Sequence, residues 1–371
     1  MKIAFLGPAY PIRGGIAQFI AIFAELLEKQ GHDVTIYSFI KQYPKLIFPG
    51  QEQIDKSEKV IDLKVKPVLT PYNPFTYNQT IKAILKDKPD LVIFKYWIPF
   101  FAPAFGFILK RLKKAGIKTL CIFDNIEFHE KWMFADKLTG YVLKSTSEAI
   151  TMSESVFNSL QEKFPWFDSA RVHKHKHPNY DFYRENELKP KSELTNRLLF
   201  FGYIKTYKGL DTLLQAMPGI IKANPQLKLT IAGEVYGDIE QYTKLIEEHN
   251  LGEYIDFQNR FIANEEVESF FLNSDVCVLP YRSATQSGIT QLAFSFCTPV
   301  IATDVGGLSE TIKDNYNGYL VEPENPQAIV EAVSKYYKEE KYRQFSEAIY
   351  SQQQNDEFSW GPFINTIESL K

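Results

Sequence analysis

Cysteine is scarce: Cys121, Cys277 and Cys297 are the only three in 371 residues. None stands at metal-ligand spacing and two fall inside apolar segments, so they are expected as small buried hydrophobes rather than ligands or disulfide partners. Long apolar runs are missing too. The longest uncharged apolar run, residues 96 to 109, has 14 residues and two prolines, short of the roughly 20 that a bilayer-spanning helix needs. The opening MKIAFLG has one Lys and a five-residue apolar run, which reads as a first strand and is too short for a signal peptide. A cytoplasmic location is expected, with peripheral contact at the inner membrane face left open. No G-x-G-x-x-G follows that first strand, which argues against a dinucleotide fingerprint. No D-x-D occurs anywhere, so a metal-chelated diphosphate is not indicated and no metal is expected.

The net charge is small, but the balance is uneven. Residues 1 to 190 carry a net +7 and residues 191 to 371 a net −10, which together give the overall −3. An excess of that size steers anions or an anionic surface toward one half, yet falls short of a nucleic-acid signature. The length exceeds one comfortable core, so two domains are expected.

What is present repeats one pattern twice. Residues 2 to 6 form a buried strand, followed by the loop GPAYPIRGG, a helix from about Ile16 to Lys29 and a strand at 33 to 39. That is a strand–helix–strand unit of a parallel sheet, with the Gly14–Gly15 turn at the helix start. Residues 41 to 75 read as an irregular flap. Strands at 91 to 95 and 118 to 123 flank PAFGFILKRLKKAG, a helix whose Phe105, Ile108, Leu109 and Leu112 share one face and whose end is crowded with Lys110, Arg111, Lys113 and Lys114. Such a helix either covers a sheet or contacts an anionic lipid surface. Polar groups just past the strand end at Phe123 make Asp124, Asn125 and His129 site candidates. The strand at 148 to 152 leads to Ser153, a plausible helix N-cap. The tract HKHKHP (173 to 178) alternates as a strand does, with its three His on one face, and nothing completes a metal site.

Lys189, Pro190 and Lys191 read as the linker, which gives domains 1 to 188 and 189 to 355, with residues 356 to 371 returning to the first domain. The pattern restarts with a strand from Leu198 and places Lys208 at a strand–loop–helix junction, where one cation neutralises a diphosphate or is merely solvated. The stretch 281 to 310, YRSATQSGITQLAFSFCTPVIATDVGGLSE, joins strands at 275 to 280 and 300 to 303 through a small-residue loop and a helix. Ile289, Leu292, Ala293 and Phe296 define that helix's face, and it starts at Ser287 and Gly288. Its unpaired N–H groups suit a phosphate, the alternative being a well-capped helix without a ligand. Two parallel sheets with ligand-binding strand ends would face each other across a cleft.

Several pieces in order, Gly14–Gly15–Ile16, GYIKTYKGLDTLLQA (202 to 216), TIAGE (230 to 234), SDVCVLPY (274 to 281) and PVIATDVGGLSETIKDNYNGYLVEP (299 to 323), resemble the family 4 glycosyltransferases of the GT-B fold over nearly the whole chain. The resemblance implies an α/β protein of two Rossmann-like domains facing across a cleft. It also implies retaining, metal-independent transfer from a UDP- or GDP-sugar to a glycan or lipid-linked acceptor, in surface polysaccharide synthesis. No cofactor is implied. By position, Lys208 would contact the diphosphate, Gly288 and Ile289 would offer it backbone N–H groups, and Gly15 would approach the phosphates. Gly202, Gly233, Glu234, Arg260, Phe261 and Ile262 would border the nucleotide, and His129 would stand near the sugar. Relatives carry Arg where Tyr203 stands, so Lys205 is expected to supply that charge. They also carry two glutamates eight residues apart, where Thr285 or Gln286 and Gln291 or Leu292 stand here, in the segment with Ser287 and Thr290. That substitution leaves two alternatives: a nucleotide-sugar-binding scaffold without transfer, or a GT-B epimerase that breaks the same bond and adds water.

Overall fold

The computed structural model describes residues 1 to 44, 48, 50, 52 to 128 and 132 to 371. The chain divides into two compact units, Met1–Lys176 with Trp360–Lys371, and His177–Ser359. The sequence placed the boundary after residue 188. Residues 177 to 186 instead pack on the second unit, where Tyr180 N donates to Ser295 Oγ at 2.8 Å and the backbone N–H groups of Glu185 and Asn186 donate to Glu268 Oε1 at 3.1 Å.

The first unit holds β1 (Lys2–Leu6), α1 (Gly15–Lys29), β2 (Asp33–Phe39), β3 (Val65–Leu69), α2 (Phe75–Asp87), β4 (Leu91–Tyr96), α3 (Ala102–Lys114), β5 (Lys118–Phe123), α4 (Ala135–Leu143), β6 (Glu148–Thr151), α5 (Glu154–Lys163) and β7 (Val172–Lys174). Its sheet runs β3-β2-β1-β4-β5-β6-β7 with every pairing parallel. Helices on a parallel sheet bury both its faces, which is why strands such as LVIFKY are continuous apolar runs rather than alternating ones. The order reverses direction between β1 and β4, and the carboxyl ends there border the crevice in which open sheets of this kind hold ligands.

The helix Gly361–Ser369 belongs to this unit. Trp360 stacks on Phe23 with ring centroids 5.4 Å apart and lies 4.7 Å from Phe19, both on α1. His32 Nε2 sits 2.6 Å from Glu368 Oε1, and Lys118 Nζ donates to Leu370 O at 2.9 Å.

Two expectations are corrected here. The stretch 41 to 75 is not wholly irregular, because β3 lies within it as the sheet's edge strand, paired to β2 with a register shift between Ser38 and Phe39. Lys66 and Pro67 in that strand suit an edge and broke the apolar signal. The tract HKHKHP is not one strand either, since β7 ends at Lys174. His173 and His175 rings do stack at 6.5 Å, but His175 Nε2 then meets Thr366 Oγ1 at 2.8 Å and His177 belongs to the other unit.

The second unit holds β8 (Arg197–Phe201), α6 (Leu210–Ala223), β9 (Lys228–Ala232), α7 (Glu240–Glu248), β10 (Ile255–Gln258), α8 (Val267–Leu272), β11 (Val276–Leu279), α9 (Gly288–Phe294), β12 (Val300–Thr303), α10 (Leu308–Thr311), β13 (Gly318–Val321), α11 (Pro326–Lys338) and α12 (Lys341–Gln353). Its sheet order is β10-β9-β8-β11-β12-β13, again all parallel. The reversal falls between β8 and β11, the strands that lead into the Lys208 and 281-to-288 loops.

Removing the Trp360 ring leaves a cavity between the last helix and α1. Trp360→Ala is expected to lower unfolding free energy by about 3–5 kcal/mol, read as a reduced urea midpoint; a loss below about 1 kcal/mol would show that this helix is not integral to the first unit.

Candidate active site

In the second unit the loops at the carboxyl strand ends are held together by backbone. Gly233, with φ of 152°, lies so close to the loop after β8 that an added Cβ would fall 2.1 Å from Gly202 O. Gly306, with φ of 52°, lets the loop after β12 press on the loop after β11, where a Cβ would fall 1.5 Å from Ala284 O. Only glycine satisfies both the dihedral and the contact. Arg282 then joins the Lys208 turn to the 281-to-288 loop. Its backbone N donates to Tyr207 O at 2.7 Å and its guanidinium to Thr206 O at 2.5 Å, while it pairs with Asp211 at 2.5 Å and Glu324 at 3.1 Å. Those carboxylates neutralise Arg282, so it braces the site rather than binding an anion.

Lys208 is different. It is 8 % exposed, and its Nζ lies 5.4 Å from the Tyr281 ring centroid. No carboxylate pairs with it among the described residues. Burial, seconded by the charge of Lys205, pulls its pKa down to about 8. The Cβ position on Gly202 lies 3.3 Å from Lys208 Nζ and 3.0 Å from Ile289 Cδ1, so Gly202, Lys208 and the start of α9 converge. A buried lysine without a counter-ion is costly, and an anion placed beside it restores the charged form.

The rest of the second-unit set arranges itself around that point. Ser287 is the N-cap of α9, its Oγ accepting from Thr290 N at 3.4 Å. Thr290 and Gln291 are each 1 % exposed, and Thr290 Oγ1 and both amide atoms of Gln291 have no hydrogen-bond partner among the described residues. Leu292 is buried as an apolar core residue. Thr285 and Gln286 are half-buried, and the Thr285 carbonyl lies against Gly307. The Tyr203 and Tyr236 rings lie 4.6 Å apart between centroids, tilted by 31°; Lys205 is half-buried and Glu234 is 2 % exposed. Ile262 is buried and Phe261 half-buried. Arg260 is engaged elsewhere: its guanidinium forks onto Glu266 at 2.6 and 2.8 Å and contacts Gln258 at 3.0 Å.

The sequence reading missed Arg282 as a brace and missed His177 and Tyr180. A Cβ on Gly288 would lie 3.4 Å from Tyr180 Oη and 3.7 Å from His177 Nε2, so both side chains flank the first residue of α9. The alternating histidines were a visible signal, but strand patterning explained them without a site.

In the first unit Gly14, with φ of 120°, precedes α1, and the N-terminus of that helix has no side-chain cap. Apart from its chain neighbours and its own helix backbone, no atom of the described residues lies within 4 Å of a Cβ built on Gly15, so the space beside this turn is open among them. Asp124 is 8 % exposed and ion-paired with Lys95, itself 2 % exposed and 4.0 Å from the Phe19 ring centroid. Asp124 is therefore bound to a structural cation. Asn125 follows it, half-buried. His129 lies outside the described residues. Among the described residues no group of three or more His, Cys, Asp or Glu side chains could hold a metal ion.

Comparison with known proteins decides the class. The model of the family described as "Glycosyl transferases group 1" matches residues 181–352, and that of "Glycosyltransferase Family 4" matches residues 13–174. The chain is a group 1 glycosyltransferase of the family 4 type. Spore coat protein SA of Bacillus subtilis is 25 % identical to it over 407 aligned positions, covering 100 % of this chain and 99 % of that one. Among solved structures, an Anabaena protein in complex with UDP-glucose superposes with a TM-score of 0.75 at 14 % identity, covering 100 % of this chain and 99 % of that one. The apo form of a lipopolysaccharide outer core galactosyltransferase gives 0.68 at 16 % identity, covering 100 % and 99 %. These likenesses establish the GT-B fold of the glycosyltransferase.

A Gly233→Ala substitution would force a 2.1 Å approach to Gly202 O and is expected to destabilise the second unit by at least about 2 kcal/mol. The measurement is thermal unfolding; an unchanged transition would show that the two loops are free to part.

Proposed function

We propose that this glycosyltransferase moves a sugar from a UDP- or GDP-linked donor to a glycan or lipid-linked acceptor in surface polysaccharide synthesis, with retention at the anomeric carbon and without a metal. The observation that carries the reading is Lys208, a buried cation without a carboxylate partner among the described residues, set against Gly202 and the start of α9. The Anabaena neighbour bound to UDP-glucose and the lipopolysaccharide galactosyltransferase support the donor and acceptor classes.

The bond from the sugar's anomeric carbon to the β-phosphate oxygen breaks, its electron pair stays on the diphosphate, and an acceptor hydroxyl forms the new bond and passes its proton to the departing diphosphate oxygen. Charge develops on the leaving diphosphate, where Lys208 and the N–H groups at Gly288 and Ile289 stabilise it without reorganising. Buried Thr290 and Gln291, whose side-chain hydroxyl and amide have no partner among the described residues, offer those groups to donor hydroxyls. Tyr203 supplies no charge and Arg260 is tied to Glu266, so the electrostatic work falls on Lys208, with Lys205 beside it.

Donor binding carries a pH signature. With its folded pKa near 8, Lys208 loses its proton above that value in the free enzyme, and binding a diphosphate must restore it. Affinity is expected to fall as pH rises through about 8, by up to tenfold per unit. Lys208→Met is expected to weaken UDP and UDP-sugar binding by roughly 10- to 150-fold, the loss of one charge-assisted hydrogen bond. Calorimetric titration with UDP and GDP, alongside nucleotide release from UDP- and GDP-sugars, tests both. Absence of saturable binding by any nucleotide sugar would overturn the reading. Binding without transfer to a lipid-linked or glycan acceptor would favour the scaffold alternative, and turnover of a UDP-sugar without acceptor the epimerase.

A further inference from the structure

We propose that His177 is a second, titrating cation of the donor site, a role that depends on the diphosphate lying against Lys208 as in the proposed function. On donor binding its ring takes up a proton and donates Nε2–H to the diphosphate beside Gly288.

The tautomer of His177 is fixed by its own strap. Nδ1 lies 3.0 Å from Pro178 O, and a carbonyl oxygen only accepts, so Nδ1 carries the hydrogen. In the neutral ring Nε2 is then a lone pair, and it lies 3.7 Å from the Cβ position of Gly288. A lone pair repels a phosphate oxygen, so the two meet only when Nε2 is protonated. Packing holds the ring in this place: His177 is 8 % exposed and its ring centroid lies 5.5 Å from that of Tyr180. Tyr180 N donates to Ser295 Oγ at 2.8 Å and Arg184 Nη1 to Ser295 O at 3.3 Å, which ties the strap to the residue after α9.

The distribution of charge gives that placement its consequence. From Ser283 to Thr303 the chain holds no charged residue. Arg282, just before, is neutralised by Asp211 and Glu324, and Lys205 and Lys208 both belong to the turn after β8. The loop before α9 and α9 itself therefore bring no fixed cation to a doubly anionic diphosphate, and His177 is the group placed to bring one. The same absence keeps an imidazolium available to the ligand, because α9 and its loop carry no carboxylate to capture it. On the strap, Lys176 precedes the ring, Tyr180 contributes a phenol, and Asp181 is engaged by Arg184 at 3.1 Å and Asn179 at 3.2 Å. α9, GITQLAF, contributes nothing that titrates. During transfer no proton leaves the imidazolium. The acceptor's proton passes to the departing diphosphate oxygen, and His177 keeps its charge-assisted hydrogen bond while charge builds there.

The experiment uses the full chain with UDP-glucose and GDP-mannose as probes, whose diphosphates, unlike that of free UDP, do not titrate between about pH 5.5 and about pH 9. Affinities are measured by calorimetry across that range for the wild type, Lys208→Met and His177→Gln, the last of which keeps a hydrogen-bond donor without the charge. His177→Gln is expected to weaken binding about tenfold at the acid end, the equivalent of one unit of ring pKa, and less than about twofold at the alkaline end. In the wild type, the His177 ring, assigned by NMR through its cross-relaxation with the Tyr180 ring, should titrate with a midpoint that the probe raises by more than about one unit. That titration is decisive even where the variant fails to fold. Equal weakening at every pH marks a packing role and overturns the proposal, as does a ring midpoint that the probe leaves unmoved. A wild type that binds neither probe removes the donor reading and this proposal together. A wild type whose binding is lost in Lys208→Met but unchanged in His177→Gln removes this proposal alone.

Discussion

A single uncompensated charge organises the second unit. Lys208 is held in an environment that lowers its pKa to about 8, a cost that a stability-optimised fold would remove by exposing the amine or pairing it. The features around it keep it in place. Arg282 binds the Thr206–Lys208 turn to the loop after β11, and Gly233 lets the loop after β9 close on Gly202. Asp211 and Glu324 spend their charge on Arg282 rather than on Lys208. The result is a buried cation with no carboxylate partner among the described residues. Strain of this kind in the free state is how a site is prepared for charge that arrives with the ligand.

The first unit handles its buried lysine in the opposite way. Lys95, inside the apolar run of β4, is ion-paired with Asp124 at the end of β5 and lies over the Phe19 ring. That pair is internally balanced and leaves no charge for a substrate. Two buried lysines at carboxyl strand ends thus have different fates, decided by whether a carboxylate stands within reach. The contrast favours the second unit as the binder of the anionic donor.

Much of the architecture was legible because buried parallel strands must be apolar throughout. IAFL, LVIF, TLCIF, RLLFF and VCVL announced their strands, and the helix stripes between them fixed the alternation. The edge strand β3 was not legible, since VKPVL mixes Lys and Pro into a half-buried strand. The strap from 177 to 186 was read as part of the first domain because polar hydrogen bonds to Ser295 and Glu268, not an apolar stripe, secure it. Lys208, Gly202, Gly288 and Ile289 were expected at the site from loop chemistry and family resemblance, and in the fold Gly202 lies against Lys208 and Ile289. Arg282 was overlooked because its partners Asp211 and Glu324 are 71 and 42 residues away, a relation no local pattern carries. The departure at Thr285, Gln286 and Gln291 is visible in the sequence, but the unpartnered state of the buried Gln291 amide is visible only in the fold.

The claim on which the rest depends is that Lys208 lacks a counter-charge until a diphosphate supplies one. Its Nζ can be titrated directly by NMR on protein with isotopically labelled lysine, assigned through Lys208→Arg, with and without UDP. A midpoint near 8 in the free enzyme, raised by more than about one unit when UDP is bound, is the expected result. An ordinary lysine midpoint in the free enzyme, or one that UDP leaves unmoved, would contradict it.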